Sequence, residues 1–242
     1  VIKIIEEGRT GGPQMDMLRV TPFVQKMGVT TNVILPRYDS DKFQQHLTEA
    51  NIPFFTIPMT TLRKHPKQLI LYTFKFIPEI LLLTRLIWKM KPDIVHVSGG
   101  AWQIKGVLAG RLAGRKVIWH LNDTQTPKVL KLFFRAVQPF AHAFITAGYR
   151  VQEYYLKNEV KRQIFNISAP VDCSVFDPAL IKKTHSDNVL RIITVANINP
   201  IKGLEQFLEM AAKLNQKVFK PLEFRIIGPV FDSQILYFKK LK

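Results

Sequence analysis

The first stretch with chemical potential is a strand-like segment that leads into a lysine and a glycine. Ile192 to Ala196 is a short apolar run, typical of a strand buried on both faces. Polar residues and a proline break the run, and apolar residues return at helical spacing after Gly203. A loop between a parallel strand and a helix N-terminus favours phosphate through its free N–H groups. The segment predicts an anion site with Lys202 as its cation, or else Lys202 is a solvated residue at a helix start.

A second polar set ends the segment Lys116 to Asp123, which reads K-V-I-W-H-L-N-D. Residues two apart on a strand share a face, so His120 and Asn122 are predicted to point toward the same ligand, with Asp123 beside them. Polar side chains at the carboxyl end of a strand are placed to bind a substrate and to stabilise charge that develops during a reaction. These three residues are the candidate catalytic set.

Glycines form two further loops. Gly11 and Gly12 follow the strand-like residues 1–5, and Gly99 with Gly100 follows the segment P-D-I-V-H-V. Glycine between a strand and a helix permits a positive φ and close approach of the backbone to a phosphate or sugar, although turns also use glycine for steric reasons alone. We interpret His96, inside the second apolar run, as a packed core residue.

The elements that position these residues alternate along the chain. Seven strand-like segments separated by helical segments or turns are predicted up to residue 167, and two more strands follow after residue 189. This order predicts an α/β protein. We expect one domain at residues 1–168, a linker at 169–188 and part of a second domain at 189–242.

Residues 66–90 predict one long amphipathic helix with a kink at Pro78. At about 100° per residue, one stripe carries a set of charged and amide side chains, namely Gln68, Lys75, Glu79, Arg85 and Lys89. In the simpler interpretation the helix lies on a sheet with this stripe outward. In the alternative, nearby cations complete a basic, apolar face that binds anionic lipid: Arg63, Lys64, Lys67 and Lys91.

Composition limits the class of protein. A chain of 242 residues with 47% hydrophobic content can bury a full core and begin a second, which excludes a disordered protein. The single cysteine, Cys173, cannot form an internal disulfide, and the first residues lack a signal-peptide pattern, so we expect a cytoplasmic location. The longest apolar region, residues 74–88, is interrupted by charges and a proline and is too short to span a membrane.

The formal charge of +17 predicts an anionic partner. A phosphorylated substrate and an anionic membrane surface rank ahead of nucleic acid, because no zinc spacing, aromatic RNA-binding motif or helix-turn-helix pattern is present. No cluster has metal-ligand spacing, so no metal is expected. A strand leading into G-x-G-x-x-G is also missing, which disfavours NAD binding.

Several of these segments resemble one family. V-A-N-I-N-P-I-K-G resembles the first strand, loop and helix of the nucleotide-sugar domain of family-4 glycosyltransferases with the GT-B fold, whose usual form is G-R-x-x-x-x-K-G. Lys202 and Gly203 match the motif, and Asn197 stands where the arginine is usual. I-I-G-P-V, with Gly228, resembles the family's I-x-G-x-G-P turn, and I-S-A-P-V-D-C-S-V-F-D-P resembles its interdomain linker.

The resemblance implies a GT-B-like α/β fold, with a complete N-terminal Rossmann-like domain on the acceptor side and the beginning of a second one. It implies retaining transfer of a sugar from a nucleotide-sugar donor to a lipid-linked or cell-envelope glycan acceptor, without a cofactor. The residues expected to hold the donor diphosphate are Asn197, Lys202, Gly203 and Gly228. Either His120 or Asn122 takes the family's usual histidine position, and the loops with Gly11, Gly12 and Gly99 face the cleft.

The family's paired glutamates, spaced E-x7-E, do not follow Lys202 in this sequence. The resemblance therefore also implies a C-terminally truncated chain that transfers sugar poorly by itself. Because such glycosyltransferases often act on lipid-linked acceptors, it further implies a cytoplasmic protein that associates peripherally with the inner face of the cell membrane. Two alternatives stay open. A sugar-nucleotide epimerase of the same fold acts without an acceptor, and a non-catalytic module binds a membrane or a partner through its charge, with steep salt dependence.

Overall fold

A computed structural model describes residues 1–63, 65–124, 126–157, 161–180 and 188–241. Lys64 of the predicted basic face and residues 181–187 of the predicted linker lie outside these ranges. The chain divides into two compact units, Val1–Phe176 and Asp177–Lys242, and each is described by itself.

The first unit alternates strands and helices, as predicted. Its strands are β1 (Ile2–Ile4), β2 (Asn32–Pro36), β3 (Phe54–Ile57), β4 (Ile94–Ser98), β5 (Lys116–Leu121), β6 (Ala143–Thr146) and β7 (Gln163–Asn166). Its helices are α1 (Gly12–Lys26), α2 (Asp41–Glu49), α3 (Pro66–Met90), α4 (Ile104–Leu112), α5 (Lys128–Val137) and α6 (Tyr149–Leu156).

The seven strands form one parallel sheet in the order β3-β2-β1-β4-β5-β6-β7. The α/β fold is therefore confirmed. The chain order reverses between β1 and β4, and ligands of such sheets bind beside this switch point, outside the carboxyl ends of the strands. Lys3 of β1 pairs in register with His96 of β4, and Ser98 of β4 pairs with His120 of β5.

Apolar clusters cover both faces of the sheet. Ile4 and Val97 belong to a large cluster that includes residues of α3 and α4, and Ile5 belongs to a smaller one with residues of α1 and α2. Helix α4 packs closely on the strands, because a Cβ at Gly110 would lie 2.9 Å from Val117. The strand ends are thus held by a core in which each fully buried aliphatic side chain contributes about 1.5–3 kcal/mol.

Helix α3 has the predicted bounds, but its predicted orientation is wrong for Glu79. The helix continues through Pro78, and the side chain of Glu79 is buried with 4% exposure. An ion pair with buried Lys105 compensates for the cost of this burial. The other four residues of the predicted stripe are exposed, as predicted: Gln68, Lys75, Arg85 and Lys89. An apolar stripe of the same helix also faces solvent: Ile70, Phe74, Ile77, Leu81 and Trp88. Among the described helices, none combines the length and the apolar character needed to cross a membrane.

The second unit contains two parallel strands, β8 (Leu190–Val195) and β9 (Leu222–Ile227), with helices α7 (Leu204–Lys217) and α8 (Ile235–Leu241). Phe207 of α7 contacts Phe224 of β9, with ring centroids 6.0 Å apart. Several apolar strand residues are at least half exposed or close to it: Leu190, Ile193, Val195 and Ile227. The second sheet is therefore much less covered than the first.

Candidate functional site

Buried polar atoms without a partner collect near the switch point of the first sheet. Of the ten such atoms among the described residues, four lie elsewhere, on His46, Arg115, Gln138 and Tyr237. The other six lie on β4, β5 or the loops after β1 and β4: Glu6 Oε2, Thr10 Oγ1, His96 Nε2, Ser98 Oγ, Gln103 Nε2 and His120 Nδ1. Buried polar side chains are nearly always hydrogen-bonded to protein or to ordered water. A concentration of exceptions at one sheet edge marks a place where a ligand or water supplies the missing bonds.

His120 is buried near the end of β5, with 8% exposure. Its ring stacks on His96, with centroids 5.6 Å apart and planes inclined by 16°. Burial, with Lys3 as the second cause, lowers the pKa of His120 to about 4. Burial also lowers the pKa of His96 well below its usual value, and His120 and Lys3 lower it further. Both imidazoles are thus neutral at physiological pH and serve as hydrogen-bonding groups without charge.

Asp123 lies in the loop after β5 and is held by a neighbouring helix. The hydroxyl of Tyr155 on α6 donates to Asp123 Oδ1 at 3.2 Å, and burial raises the pKa of that hydroxyl. A Cβ at Gly100 would lie 3.2 Å from Asp123 Oδ2, so the loops after β4 and β5 meet here. Asn122 precedes Asp123 and is half-buried. The predicted catalytic residues therefore follow one another at the edge that carries the unpartnered atoms.

The glycine loop after β4 has the backbone that glycine permits. Gly99 and Gly100 have φ values of 120° and 119°, and a Cβ at Gly99 would lie 2.5 Å from Nε2 of Gln103. Gln103 in turn accepts a hydrogen bond from the backbone N–H of Glu6, with a donor–acceptor distance of 2.5 Å. Gly99 thus lets this loop close onto the loop after β1.

Gly11 and Gly12 do not have the predicted conformational role. Gly11 is extended, with φ −151°, and its N–H donates to the side chain of Gln14 at 3.1 Å. Gly12 begins α1, and a Cβ there would have no atom within 4 Å. Positive φ is therefore not the reason for these glycines. Gly8 has the steric role in this loop, since its Cβ would lie 2.7 Å from the carbonyl oxygen of Tyr38.

A buried ionic cluster beside this edge was missed from the sequence. Lys105 of α4 is fully buried and donates to Glu79 Oε2 at 2.6 Å and to the Thr60 carbonyl at 2.7 Å. Glu6, after β1, accepts from the N–H of Gly106 at 3.1 Å. Burial raises the pKa of Glu6 to about 7, while Lys105 opposes the shift. One available signal was the single charge of Lys105 in the apolar run I-K-G-V-L-A-G.

In the second unit, the residues predicted to bind the donor diphosphate lie in two neighbouring loops, one after β8 and one after β9. Asn197 and Lys202 are exposed after β8, and Gly203 caps α7 with φ 68°. Asn199 fixes the turn by accepting from the N–H of Ile201 at 3.2 Å. A Cβ at Gly228 would overlap the carbonyl oxygen of Ala196 and lie 3.2 Å from the N of Asn197. The structure thus brings Gly228 next to Asn197, with α7 beginning a few residues on.

Of the residues predicted to bind the donor diphosphate, Lys202 is basic and Asn197 carries an amide. Throughout the described ranges, no three His, Cys, Asp or Glu side chains are grouped so that they could hold a metal ion. Lys202 and the first N–H groups of α7 instead form a small positive region at the turn, and Glu205 lies in the first turn of the helix that follows. This arrangement suits an anionic ligand group such as a phosphate.

Comparisons with known proteins identify the fold. No protein-family model matches the chain, and no curated protein matches it in sequence. A solved glycosyltransferase from Rickettsia africae ESF-5 has a TM-score of 0.75 and 18% identity, over 100% of this chain and 63% of that one. Anabaena Alr3699/HepE in complex with UDP and glucose has a TM-score of 0.76 and 15% identity, over 99% and 64%. The fold is GT-B.

A different activity also occurs on this fold. The UDP-GlcNAc 2-epimerase from Neisseria meningitidis, bound to UDP-GlcNAc, has a TM-score of 0.61 and 16% identity, over 99% of this chain and 68% of that one. The chain spans slightly less than two thirds of the length of the two glycosyltransferases. At these identities the likeness concerns architecture, and the chemistry must be argued from the residues of the site.

Proposed function

We propose that this chain is the larger part of a retaining glycosyltransferase of family-4 type, which moves a sugar from a nucleotide sugar to a glycan or lipid-linked acceptor. The observation that carries the proposal is the group of unpartnered buried polar atoms at the switch point of a GT-B sheet. Residues 1–168 form the acceptor-side domain, 169–188 the linker and 189–242 the first part of the donor domain.

The donor diphosphate is assigned to the turn after β8. Lys202 supplies a mobile cation, and the free N–H groups at the start of α7 supply fixed dipoles beside it. Gly228 keeps the neighbouring loop close to Asn197, whose amide takes the place of the family's arginine. This loss of one cation predicts weaker diphosphate binding than in relatives with both. The formal charge of +17 favours the approach of such anionic substrates.

Sugar transfer with retention develops positive charge at the anomeric carbon. A neutral His120 binds sugar hydroxyls without placing a like charge near that carbon, and its free Nδ1 provides a hydrogen-bonding position. Asp123 supplies a carboxylate that stabilises the developing positive charge, and a hydrogen bond from Tyr155 fixes the position of that carboxylate. Asn122 contributes an amide next to these groups. The three residues thus cover sugar binding and charge stabilisation.

Helix α3 supports peripheral association with the inner face of the membrane. Its outward apolar stripe is flanked by exposed Lys67, Lys75, Arg85 and Lys89, a pattern typical of helices that lie in the interface of an anionic bilayer.

Co-sedimentation with anionic and neutral vesicles at low salt tests this membrane association. Phe74→Gln with Ile77→Gln should abolish binding to anionic vesicles, and Leu236→Gln, on exposed α8, should not. A wild-type protein that ignores anionic vesicles contradicts the assignment.

Product analysis tests the transferase. The full-length protein is incubated with UDP-glucose and other nucleotide sugars, with and without a bacterial lipid extract as the acceptor source. We expect nucleotide release that requires the acceptor, and a glycosylated product whose anomeric configuration, read by NMR, matches the donor. Conversion of the nucleotide sugar without an acceptor favours the epimerase instead. No reaction in either condition contradicts both enzymes.

A further inference from the structure

A pocket of about 190 Å³ lies beside the candidate site, at the carboxyl ends of β2 and β3. Tyr38 and Asp39 line it from the loop after β2, residues 58–61 and Arg63 from the loop after β3, and Gln68, Leu71 and Lys75 from α3. Because the sheet is parallel, this pocket opens at the same edge as the loops that carry Glu6 and Asp123. Nothing in the proposed donor chemistry uses it.

Two fully or almost fully buried charged residues fix the inner wall of the pocket. Glu79 accepts hydrogen bonds from the N–H of Thr60 at 2.9 Å and from its hydroxyl at 3.0 Å. Lys105 holds the Thr60 carbonyl from below and stacks over the ring of Tyr72, 3.9 Å from its centroid. A loop restrained at both its N–H and its carbonyl is preorganised, so a ligand loses little binding energy in ordering it.

The outer wall carries two cations. Arg63 forms an ion pair with Asp39 through Nη2, and its other guanidinium N–H groups have no partner among the described residues. Lys75 lines the pocket from α3 and is exposed, and the described residues offer it no ion pair. One carboxylate thus faces two cations, which leaves an excess of one positive charge at the rim.

The size and the surroundings of the pocket select the ligand. About 190 Å³ is below the roughly 300–1,000 Å³ usual for whole small-molecule sites, so the pocket fits a head group better than a nucleotide sugar. Leu71, which lines the pocket, is 46% exposed, and the outward apolar stripe of α3 includes Phe74, one turn away. An anionic head with an apolar tail matches a charged pocket that opens onto an apolar helix.

We propose that this pocket binds the phosphate group of a phosphorylated amphiphile, with Arg63 and Lys75 contacting the phosphate and the exposed apolar residues of α3 contacting the tail. The Thr61 hydroxyl donates to the Glu6 carbonyl at 3.1 Å, so the loop that lines the pocket is bonded to the loop of the candidate site. The ligand is therefore the lipid-linked acceptor, an identification that rests on the proposed transferase function. The binding itself does not depend on it.

Binding of octyl phosphate, below its critical micelle concentration, tests the pocket in the full chain without any donor. Inorganic phosphate provides the head alone and octyl glucoside the tail with a neutral head. We expect octyl phosphate to bind at least tenfold more tightly than either, and Arg63→Gln and Lys75→Gln each to weaken it about tenfold, the loss typical of one charge-assisted contact. Lys26→Gln and Lys116→Gln, exposed cations on α1 and β5 outside the pocket, are the controls and should bind as the wild type.

Equal losses in the pocket variants and the controls would mean that net charge alone drives binding, which overturns the proposal. Equal affinity for inorganic phosphate and octyl phosphate would mean a site for free anions without an amphiphile, and no binding of octyl phosphate overturns it as well. The transferase assay distinguishes a failure of the pocket proposal from a failure of the proposed transferase function. Turnover with an unchanged acceptor KM in Arg63→Gln and Lys75→Gln would refute the pocket and leave the transferase intact.

Discussion

The carboxyl ends of β5 and β8 both carry polar side chains, but these side chains are held in different ways. At the end of β5, His120 is buried against His96. In the loop that follows, Asp123 accepts a hydrogen bond from Tyr155 on α6, 32 residues away in sequence. After β8, Asn197 and Lys202 are exposed, and the turn is fixed by contacts between near neighbours such as Asn199 and Ile201. The first site is therefore positioned by packing of side chains, and the second by the backbone of its own turn and of the loop that holds Gly228.

Because of this difference, substitutions in the first region are expected to change stability, and substitutions in the second are expected to change ligand binding. In the first unit, the charged groups of Glu79 and Lys105 and the imidazole of His120 are desolvated. Changing them therefore affects folding as well as the binding of any ligand. Lys202 in the second unit is solvated, so its replacement acts on an anionic ligand and scarcely on the fold. Variants in the two regions should accordingly differ in which measurement they change.

The largest effect is expected from Lys105→Met. This substitution leaves Glu79 as a buried carboxylate without its cation, which should lower the free energy of unfolding by about 3–5 kcal/mol. Urea denaturation followed by circular dichroism measures the change. The matched control is Lys240→Gln, which removes the exposed ion pair to Glu205 and should leave the midpoint unchanged. If both variants unfold at the wild-type urea concentration, the buried pair does not stabilise the first unit.

The next effect is a pH dependence that belongs to the first unit. The folded-state pKa of His120, about 4, lies below the usual unfolded value of 6.5, so the unfolded chain binds more protons as the pH falls between them. The stability contributed by neutral His120 is present above pH 6.5, and on the order of 3 kcal/mol is lost between pH 7 and pH 4. The fall should be smaller in His120→Gln by about that amount. Identical pH profiles for the two proteins would refute the burial of this imidazole.

A smaller effect is expected in the second unit from Gly228→Ala. The added Cβ overlaps the Ala196 carbonyl, and overpacking of this kind costs about 1–3 kcal/mol. Hydrogen exchange of the β8 and β9 amides should become faster, while the β5 amides keep their wild-type rates. Gly12→Ala, where the Cβ meets nothing within 4 Å, is the control and should exchange as the wild type. Unchanged exchange in Gly228→Ala contradicts the close approach of the two loops.

The sequence predicted the elements better than the side of each element that is buried. Periodicity located α3 at its observed bounds, because its apolar spacing and its first proline act locally. The periodicity of α3 did not reveal that Glu79 points inward, since apolar residues occupy most of the helix. Lys105, the ion-pair partner of Glu79, lies 26 residues away in sequence. The group of unpartnered atoms at Glu6, Ser98 and His120 depends on strand order, which no single segment encodes.

The motifs predicted the local backbone of the second region better than that of the first. Lys202 and Gly203 occupy the turn and helix start that their spacing indicated, because that geometry is set within a few residues. Gly11 and Gly12 were given a positive-φ role that belongs in fact to Gly99 and Gly100, since two adjacent glycines look alike in sequence whatever backbone the fold imposes. Their place in a cleft, like the roles of His120, Asn122 and Asp123, stays a prediction.

The central claim, that the turn after β8 binds the diphosphate of a nucleotide sugar, is tested most directly by calorimetric titration of UDP-glucose and other nucleotide sugars into the full-length protein. We predict binding by the wild type, about a tenfold or greater loss in Lys202→Ala from one charge-assisted contact, and no loss in the control Lys213→Ala, an exposed lysine on α7. The absence of binding by the wild type, or equal affinity in the two variants, would contradict the account.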